Sequence, residues 1–309
     1  MFGTARARTN PVMNGSELIA AHRTAGRGFE AGGLASFVRE QGSGEPVVCL
    51  HGIPASSFLY RKVLPELADR GLRGVAFDLP GFGFADRPRD FAYGPAAHGA
   101  WVVEALEALG LDEFHLVIHD YGGVVGAEVL ARCPERVRSL TVLNTVLDAA
   151  RFHRPAALGV LLRPGPSDLI VRALPGAVWH RTMLRVGVLD PRALTRTESD
   201  AWLELIRLED HGGAILRTAR GVDEIAAGGE RYADAVRALT VPRQVIWGTA
   251  DPVLPLRREG AITHELTGGA LHLVPARHFL QEEQAEAIAS RVAQLARTSR
   301  ASSHQGAGS

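Results

Sequence analysis

Only two of the 309 residues are cysteine. Cys49 sits inside an apolar run and Cys133 stands directly before Pro134. Neither has metal-ligand spacing, so a disulfide framework and a cysteine metal site are both unexpected. Charge of one sign is also missing: lysine plus arginine equals aspartate plus glutamate at 34 each. That balance gives no electrostatic ground for nucleic acid or an anionic membrane as a partner. No apolar run approaches the roughly 20 residues a spanning helix needs. Arg6 and Arg8 are followed by no apolar stretch of the kind a secretory signal carries. Internal repeats are absent as well. The expectation is a cytoplasmic, enzyme-sized chain that buries a sizeable core without metal or disulfide staples.

What is present is a rhythm. Residues 1 to about 26 are weakly patterned and read as an arm lying on the body. The segments Gly28–Glu30 and Ala35–Val38, flanking Gly32 and Gly33, read as a hairpin. Short continuous apolar runs then alternate with helical patterns: Pro46–Leu50, Gly74–Phe77, Leu116–Ile118 and Leu140–Leu143 read as strands buried on both faces. Between them, Tyr60–Arg70 and Pro95–Leu109 read as helices, the second stopped by Gly110. The alternation predicts an α/β fold with a mostly parallel sheet covered by helices on both faces. It breaks at about Asp148. Residues 149–225 offer no strand but four helical candidates, at Ser167–Leu174, Trp179–Val186, Thr197–Leu208 and Ala214–Arg220. Such an insert is a natural cap over the carboxyl edge of the sheet, where ligands bind in folds of this kind. The sheet resumes at Arg243–Trp247 and Ala270–Val274, and a last amphipathic helix begins at Glu282. The expected division is a core of residues 1–148 and 226–296, a helical cap of 149–225, and a small, polar, disordered tail of 297–309.

The stretch Leu116-Val117-Ile118-His119-Asp120-Tyr121-Gly122-Gly123 reads as a strand, a sharp turn and a helix start, with Asp120 at the apex. In the Gly-x-Ser-x-Gly form of this turn the apex is a serine nucleophile. Here an acid stands at the apex and Ile118 replaces the first glycine. A carboxylate there suits ester formation with carbon; the plainer reading is a helix N-cap, a role aspartate fills well. Two later strand ends supply partners: Asp251, just past one strand, and His278, just past the last. Their chain order is nucleophile, acid, histidine.

With these residues in place the chain resembles an α/β-hydrolase of the haloalkane dehalogenase and epoxide hydrolase group. The resemblance rests on the run His51 to Arg61, on Asp78-Leu79-Pro80-Gly81-Phe82-Gly83, and on Asp86-Arg87-Pro88. The His-Asp-Tyr-Gly-Gly turn, Trp247-Gly248 to Asp251-Pro252 and His278 to Glu282 complete it. It spans roughly residues 27–295 and is weakest in the cap. It implies Asp120 as nucleophile on a small apolar organic substrate, and His278, oriented by Asp251, as the base that activates water. It also implies backbone N–H groups of Ile53 and Tyr121 as the oxyanion donors, with no cofactor and no metal.

Two departures bear on the substrate. Dehalogenases of this group hold halide with a tryptophan after the nucleophile and an asparagine in the His-Gly-Asn-Pro loop, or with a cap tryptophan. Here the first two positions are Tyr121 and Ile53, so Trp179 or Trp202 of the cap would have to serve. Epoxide hydrolases of this group place two cap tyrosines on the opening oxygen, and this cap has none. His180 with Tyr232, just beyond the cap, would be a chemically sufficient pair. The expected substrate is therefore an epoxide slightly ahead of an alkyl halide. Haloalkane dehalogenase proper, an ester or lactone hydrolase with Asp120 as general base, and a non-catalytic small-molecule receptor are the alternatives.

Overall fold

The computed structural model describes residues 13–148, 151, 165–221 and 228–306. Eight strands form one sheet in the order β1-β2-β4-β3-β5-β6-β7-β8. They are β1 (Arg27–Ala31), β2 (Leu34–Gln41), β3 (Glu45–Leu50), β4 (Leu72–Phe77), β5 (Phe114–His119), β6 (Val137–Leu143), β7 (Arg243–Gly248) and β8 (Ala270–Val274). The β1–β2 hairpin is antiparallel and docks antiparallel on β4; every later pairing is parallel.

The continuous apolar runs are explained by two cores rather than one. Side chains alternate across each strand, so Val48 and Leu50 enter one apolar layer while Val47 and Cys49 enter the other. Leu116 and Ile118 divide from Val117, and Val245 and Trp247 from Ile246, in the same way. The first layer is covered by α3 (Pro95–Ala108), α4 (Tyr121–Arg132) and α9 (Gly229–Arg237); the second by α2 (Val63–Ala68) and α12 (Ala285–Gly306). Trp101 of α3 packs against Phe29 and Phe77 and donates its indole N–H to Ala31 O at 2.9 Å. One side chain thus pins the hairpin to the first layer.

Among the described residues, four cap helices follow β6: α5 (Pro166–Ala173), α6 (Gly176–Val186), α7 (Arg196–His211) and α8 (Gly213–Arg220). They match the four sequence candidates, and α7 loses helical geometry from Leu208, where its candidate ended. The start of the cap segment, residues 149, 150 and 152–164, lies outside the described residues. Between β7 and β8 runs α10 (Ala261–Thr267), and the four-residue α11 (Leu280–Glu283) precedes α12.

Two expectations are corrected. The N-terminal arm contains a helix, α1 (Gly15–Thr24), with a complete capping box between Asn14 and Glu17. It lies on α7: a Cβ at Gly15 would stand 3.2 Å from Ala201 N, and the Ser16 hydroxyl donates to Glu204 at 2.9 Å. The tail is ordered further than its composition suggests, because α12 continues from Arg297 to Gly306. Ser299 Oγ donates to Arg138 O at 2.7 Å, and Arg300 pairs with Glu45 at 2.6 Å. Residues 1–12 and 307–309 lie outside the described residues.

Candidate active site

The parallel strands β3, β5, β6, β7 and β8 end at one edge of the sheet, and the candidate groups are collected there. Asp120 follows β5 with φ 51° and ψ −127°, a left-handed conformation that an L residue holds at a cost of about 1–3 kcal/mol. Local bonds keep it there. Its N–H donates to Asn144 O at 3.1 Å, and its carbonyl accepts from Gly123 N at 2.9 Å and from the Thr145 hydroxyl. Glycine is required beside it because space is missing: a Cβ on Gly122 would stand 2.6 Å from the carbonyl oxygens of both Leu50 and His51.

The two oxygens of Asp120 have different surroundings. Oδ1 accepts from Ile53 N at 2.8 Å, and the N–H of Tyr121 also hydrogen-bonds to this carboxylate. Oδ2 faces His278 Nε2 at 3.3 Å. His278 Nδ1 lies 2.9 Å from Asp251 Oδ2. Asp251 is fully engaged: Oδ2 also accepts from Asn144 Nδ2 at 2.7 Å, while Oδ1 accepts from Val253 N at 2.7 Å and Leu254 N at 3.0 Å. The side chains at the ends of β5, β7 and β8 that the sequence singled out are therefore joined in one chain of contacts.

Electrostatics follow from that chain. Burial disfavours charge on Asp120, yet the hydrogen bond and charge of His278 hold its carboxyl below the usual range. Asp251 is lowered in the same way, burial again opposed by His278. Burial would lower His278, but Asp251 and Asp120 together raise it to about 10. The resting arrangement is an imidazolium between two carboxylates.

Positioning groups complete the edge, and sequence reasoning missed the main one. Asn144, at the end of β6 with φ 25°, bonds Asp251 and accepts from Gly248 N at 2.9 Å, tying two strand ends together. Its signal was a polar side chain closing a buried apolar run. His119 Nε2 donates to the carbonyl of His278 at 2.9 Å.

The remaining candidates separate. Tyr121 Oη lies 2.9 Å from His98 Nδ1. His98 faces a carbonyl with each ring nitrogen, Nε2 with Pro80 O at 3.0 Å and Nδ1 with Gly94 O at 3.1 Å, and in either tautomer its Nδ1 is the hydrogen-bond partner of the tyrosine hydroxyl. That hydroxyl is committed away from a leaving group. The indole N–H of Trp179, a leaving-group candidate from the sequence, donates to Ser199 O at 2.9 Å. Tyr232 lies on α9, buried in the apolar layer that also covers α4. Two cap groups differ: Trp202 Nε1 and His180 Nδ1 are buried with no hydrogen-bond partner. Trp202 packs edge-on to Phe279 with ring centroids 4.8 Å apart, and Phe279 lies 5.0 Å from the His278 ring. With Leu205, Ile206 and Ile215 it closes over Pro54 and Ala55, leaving a cleft too narrow for a water molecule. Among the described residues no cluster of three or more side chains could hold a metal ion, and no helix is long and apolar enough to cross a membrane.

A sheet of this order, a nucleophile-type turn after β5 and acid and histidine after β7 and β8 define an α/β-hydrolase. A model of the α/β hydrolase fold family matches residues 45–166. Mouse (Mus musculus) mesoderm-specific transcript protein is 32% identical over 256 residues, 78% of this chain and 75% of that one. A haloalkane dehalogenase of Mycobacterium marinum is 31% identical over 266 residues, covering 81% and 84%. The chain belongs to this family. Within it, the chain is a hydrolase of the haloalkane dehalogenase and epoxide hydrolase group. The fold is shared with haloalkane dehalogenase DbeA from Bradyrhizobium elkani (TM-score 0.76, 22% identity, 90% of this chain and 99% of that chain). It is shared equally with an epoxide hydrolase from Vigna radiata (TM-score 0.74, 21% identity, 88% and 98%).

Proposed function

We propose that the protein hydrolyses a small apolar electrophile, an epoxide ahead of an alkyl halide, through an ester on Asp120. The observation that carries this is the split environment of that carboxylate. Oδ2 is available to carbon while Oδ1 already rests on Ile53 N. Attack by Oδ2 breaks the carbon–oxygen bond of the epoxide, and the electron pair goes to the departing oxygen. That oxygen takes its proton from a cap donor, for which His180 is suited, and Trp202 N–H stabilises it. The ester carbonyl that results is Oδ1, already on Ile53 N, so negative charge formed there during hydrolysis meets a donor that is in place.

Esterification also readies the base. While Asp120 is charged, His278 is held protonated by two carboxylates. The ester removes one of those charges, so the imidazolium loses affinity for its proton and releases it, which makes good the proton the cap donor gave, and the neutral ring can then take one from water. His278 takes one proton as the water oxygen attacks Cγ. The bond from Cγ to the alkyl-bearing oxygen breaks, and that oxygen leaves as an alcohol with the proton from His278. The acid so formed gives its remaining proton to His278, so that the carboxylate returns carrying one oxygen from water. A general-base role for Asp120 on an external ester is disfavoured because its own Oδ1 fills the oxyanion position.

An epoxide is favoured because neither Ile53 nor Tyr121 offers a side-chain donor to a halide. Dehalogenation is the second reading, favoured by the unpartnered indole N–H of Trp202. The test is intact-mass analysis of His278→Gln with a panel of epoxides and haloalkanes. A stable adduct on Asp120 is expected, with diol or halide release by the native protein identifying the electrophile. A folded variant that leaves Asp120 unmodified by every compound the native protein consumes would sink the mechanism.

A further inference from the structure

Beyond the reacting groups, one buried charge cluster joins the two halves of the site. Arg61, in the 3-10 turn Ser57–Lys62 after β3, holds Glu282 with two hydrogen bonds, Nη1 to Oε1 at 2.6 Å and Nη2 to Oε2 at 2.7 Å. The same Nη2 reaches Glu198 Oε1 at 2.7 Å. Lys62 Nζ closes the square, 3.0 Å from Glu198 and 2.8 Å from Glu282, and donates to Ala193 O at 2.7 Å. The Arg61 and Glu282 side chains are 8% and 0% exposed, so water does not screen the pair. Arg61 also lies over the Phe58 ring, 4.1 Å from its centroid.

The placement of the two acids matters more than their charge. Glu282 is four residues beyond His278, on α11. Glu198 is four residues before Trp202, on the same face of α7. It is also the third residue of that helix, where Oε2 accepts from Thr195 N at 2.8 Å in a capping box. Glu198 thus divides its oxygens, one fixing the start of α7 and the other fixing α7 to the core.

We propose that Arg61 is a positioning residue that registers the cap helix carrying Trp202 against the segment carrying His278. The role requires a planar, forked cation, because one guanidinium must meet Glu282 with two parallel bonds and still reach Glu198. A lysine at this position can satisfy only part of that geometry. Arg61 and Glu282 are buried and Glu198 is half-buried at the edge of the cap, so the joint comes apart on the side of α7, with Glu198 withdrawn. The proposal rests on the Asp120 ester reading for its kinetic consequence only.

Two variants separate the contacts. Glu198→Gln keeps the capping box, which glutamine also completes, and removes the charge facing Arg61 and Lys62. Arg61→Lys disturbs both acids. Hydrogen exchange read by mass spectrometry is expected to rise over residues 196–207 in Glu198→Gln with 278–283 unchanged, and over both segments in Arg61→Lys. The strand peptides of β5 and β6 are expected to keep native protection. In single turnovers, Glu198→Gln is expected to slow formation of the Asp120 ester by about tenfold or more while leaving its hydrolysis at the native rate; Arg61→Lys slows both steps. Native exchange in both segments, or a uniform rise that includes the sheet, overturns the proposal. Should the native protein form no ester at all, the exchange pattern alone still decides whether Arg61 is the joint, and only the functional reading is lost.

Discussion

In the proposed mechanism Asp120 must be both accessible to carbon and charged at a place where burial opposes charge. The strained turn answers the first demand and the contacts of the carboxylate answer the second. The space that permits those contacts is made by a glycine on another loop. An ideal Cβ on Gly52 would stand 2.3 Å from Asp120 Oδ1 and 2.4 Å from its Cβ. Gly52→Ala is therefore expected to push the carboxylate off Ile53 N and away from His278. Activity should fall by about a hundredfold or more, the scale of a misplacement near 1 Å, and the yield of Asp120 adduct in the His278→Gln background should fall with it. A native rate in Gly52→Ala would mean that the carboxylate does not rest on that loop during turnover. Asp120, Asp251 and His278 were legible as a candidate site because each sits just past an apolar run, where chain order alone suggests convergence. Asn144 was less legible: nothing local says that its amide will span to Asp251, which is 107 positions away in sequence. Trp179 and Trp202 were indistinguishable as letters. Only packing commits one indole N–H to Ser199 O and leaves the other without a partner.

At the scale of elements, the strands and the described cap helices were readable because each carries its own period. The N-terminal helix was not, since its stabilisation is split between a cap and a distant surface. Its apolar content is small: Ile19 and His22 are its buried side chains. His22 enters a slot among Phe37, Phe58 and Phe84, its Nε2 3.1 Å from Ser57 Oγ and its Nδ1 3.1 Å from Arg39. Burial pushes that ring down to about 3, with Arg39 and Arg61 adding to the shift, so it packs as a neutral ring at ordinary pH. Asn14→Ala removes the side-chain half of the capping box, the bond from Glu17 N to Asn14 Oδ1, while the backbone N–H at position 14 can still donate to Glu17, and is expected to destabilise α1 by about 1 kcal/mol. The readout is hydrogen exchange: faster over residues 15–24, and faster on the facing turn of α7 near Ala201. Unchanged exchange on α7 would show that α1 rides on the cap without steadying it. The C-terminal extension of α12 escaped notice for a related reason. Ser299 and Arg300 are polar letters whose partners, Arg138 O and Glu45, lie on the core.

Across the whole molecule the formal net charge is zero, so dependence of stability on pH comes from individual buried groups rather than from general repulsion. On the acid side, Glu198 is lowered to about 2, burial being outweighed by Arg61 and then by its other partners. A depressed carboxyl contributes stability present above its unfolded value, near 4.5, and lost as pH falls towards 2; Asp120 and Asp251 act in the same direction. Asp78 has the opposite sign, because burial raises it to about 6 and its ionisation opposes folding as pH rises to that value. From pH 6.5 to about 9 the group to follow is His278, because the buried Cys49 thiol, which burial also pushes up, adds its own loss only above that. His278 is raised to about 10, so the folded state holds a proton that the unfolded state releases near 6.5. Its contribution is complete below pH 6.5 and declines between there and pH 10, with a slope of up to about 1.4 kcal/mol per pH unit. Thermal melts from pH 6.5 to 10 should therefore show a falling Tm in the native protein and a flatter profile in His278→Gln. The test has a second arm. Asp251→Asn removes one of the two carboxylates that hold the proton, so its decline is expected to begin and finish at lower pH than in the native protein. If all three profiles fall in parallel, the imidazolium between Asp120 and Asp251 is not the resting state, and the base would be free before the ester forms.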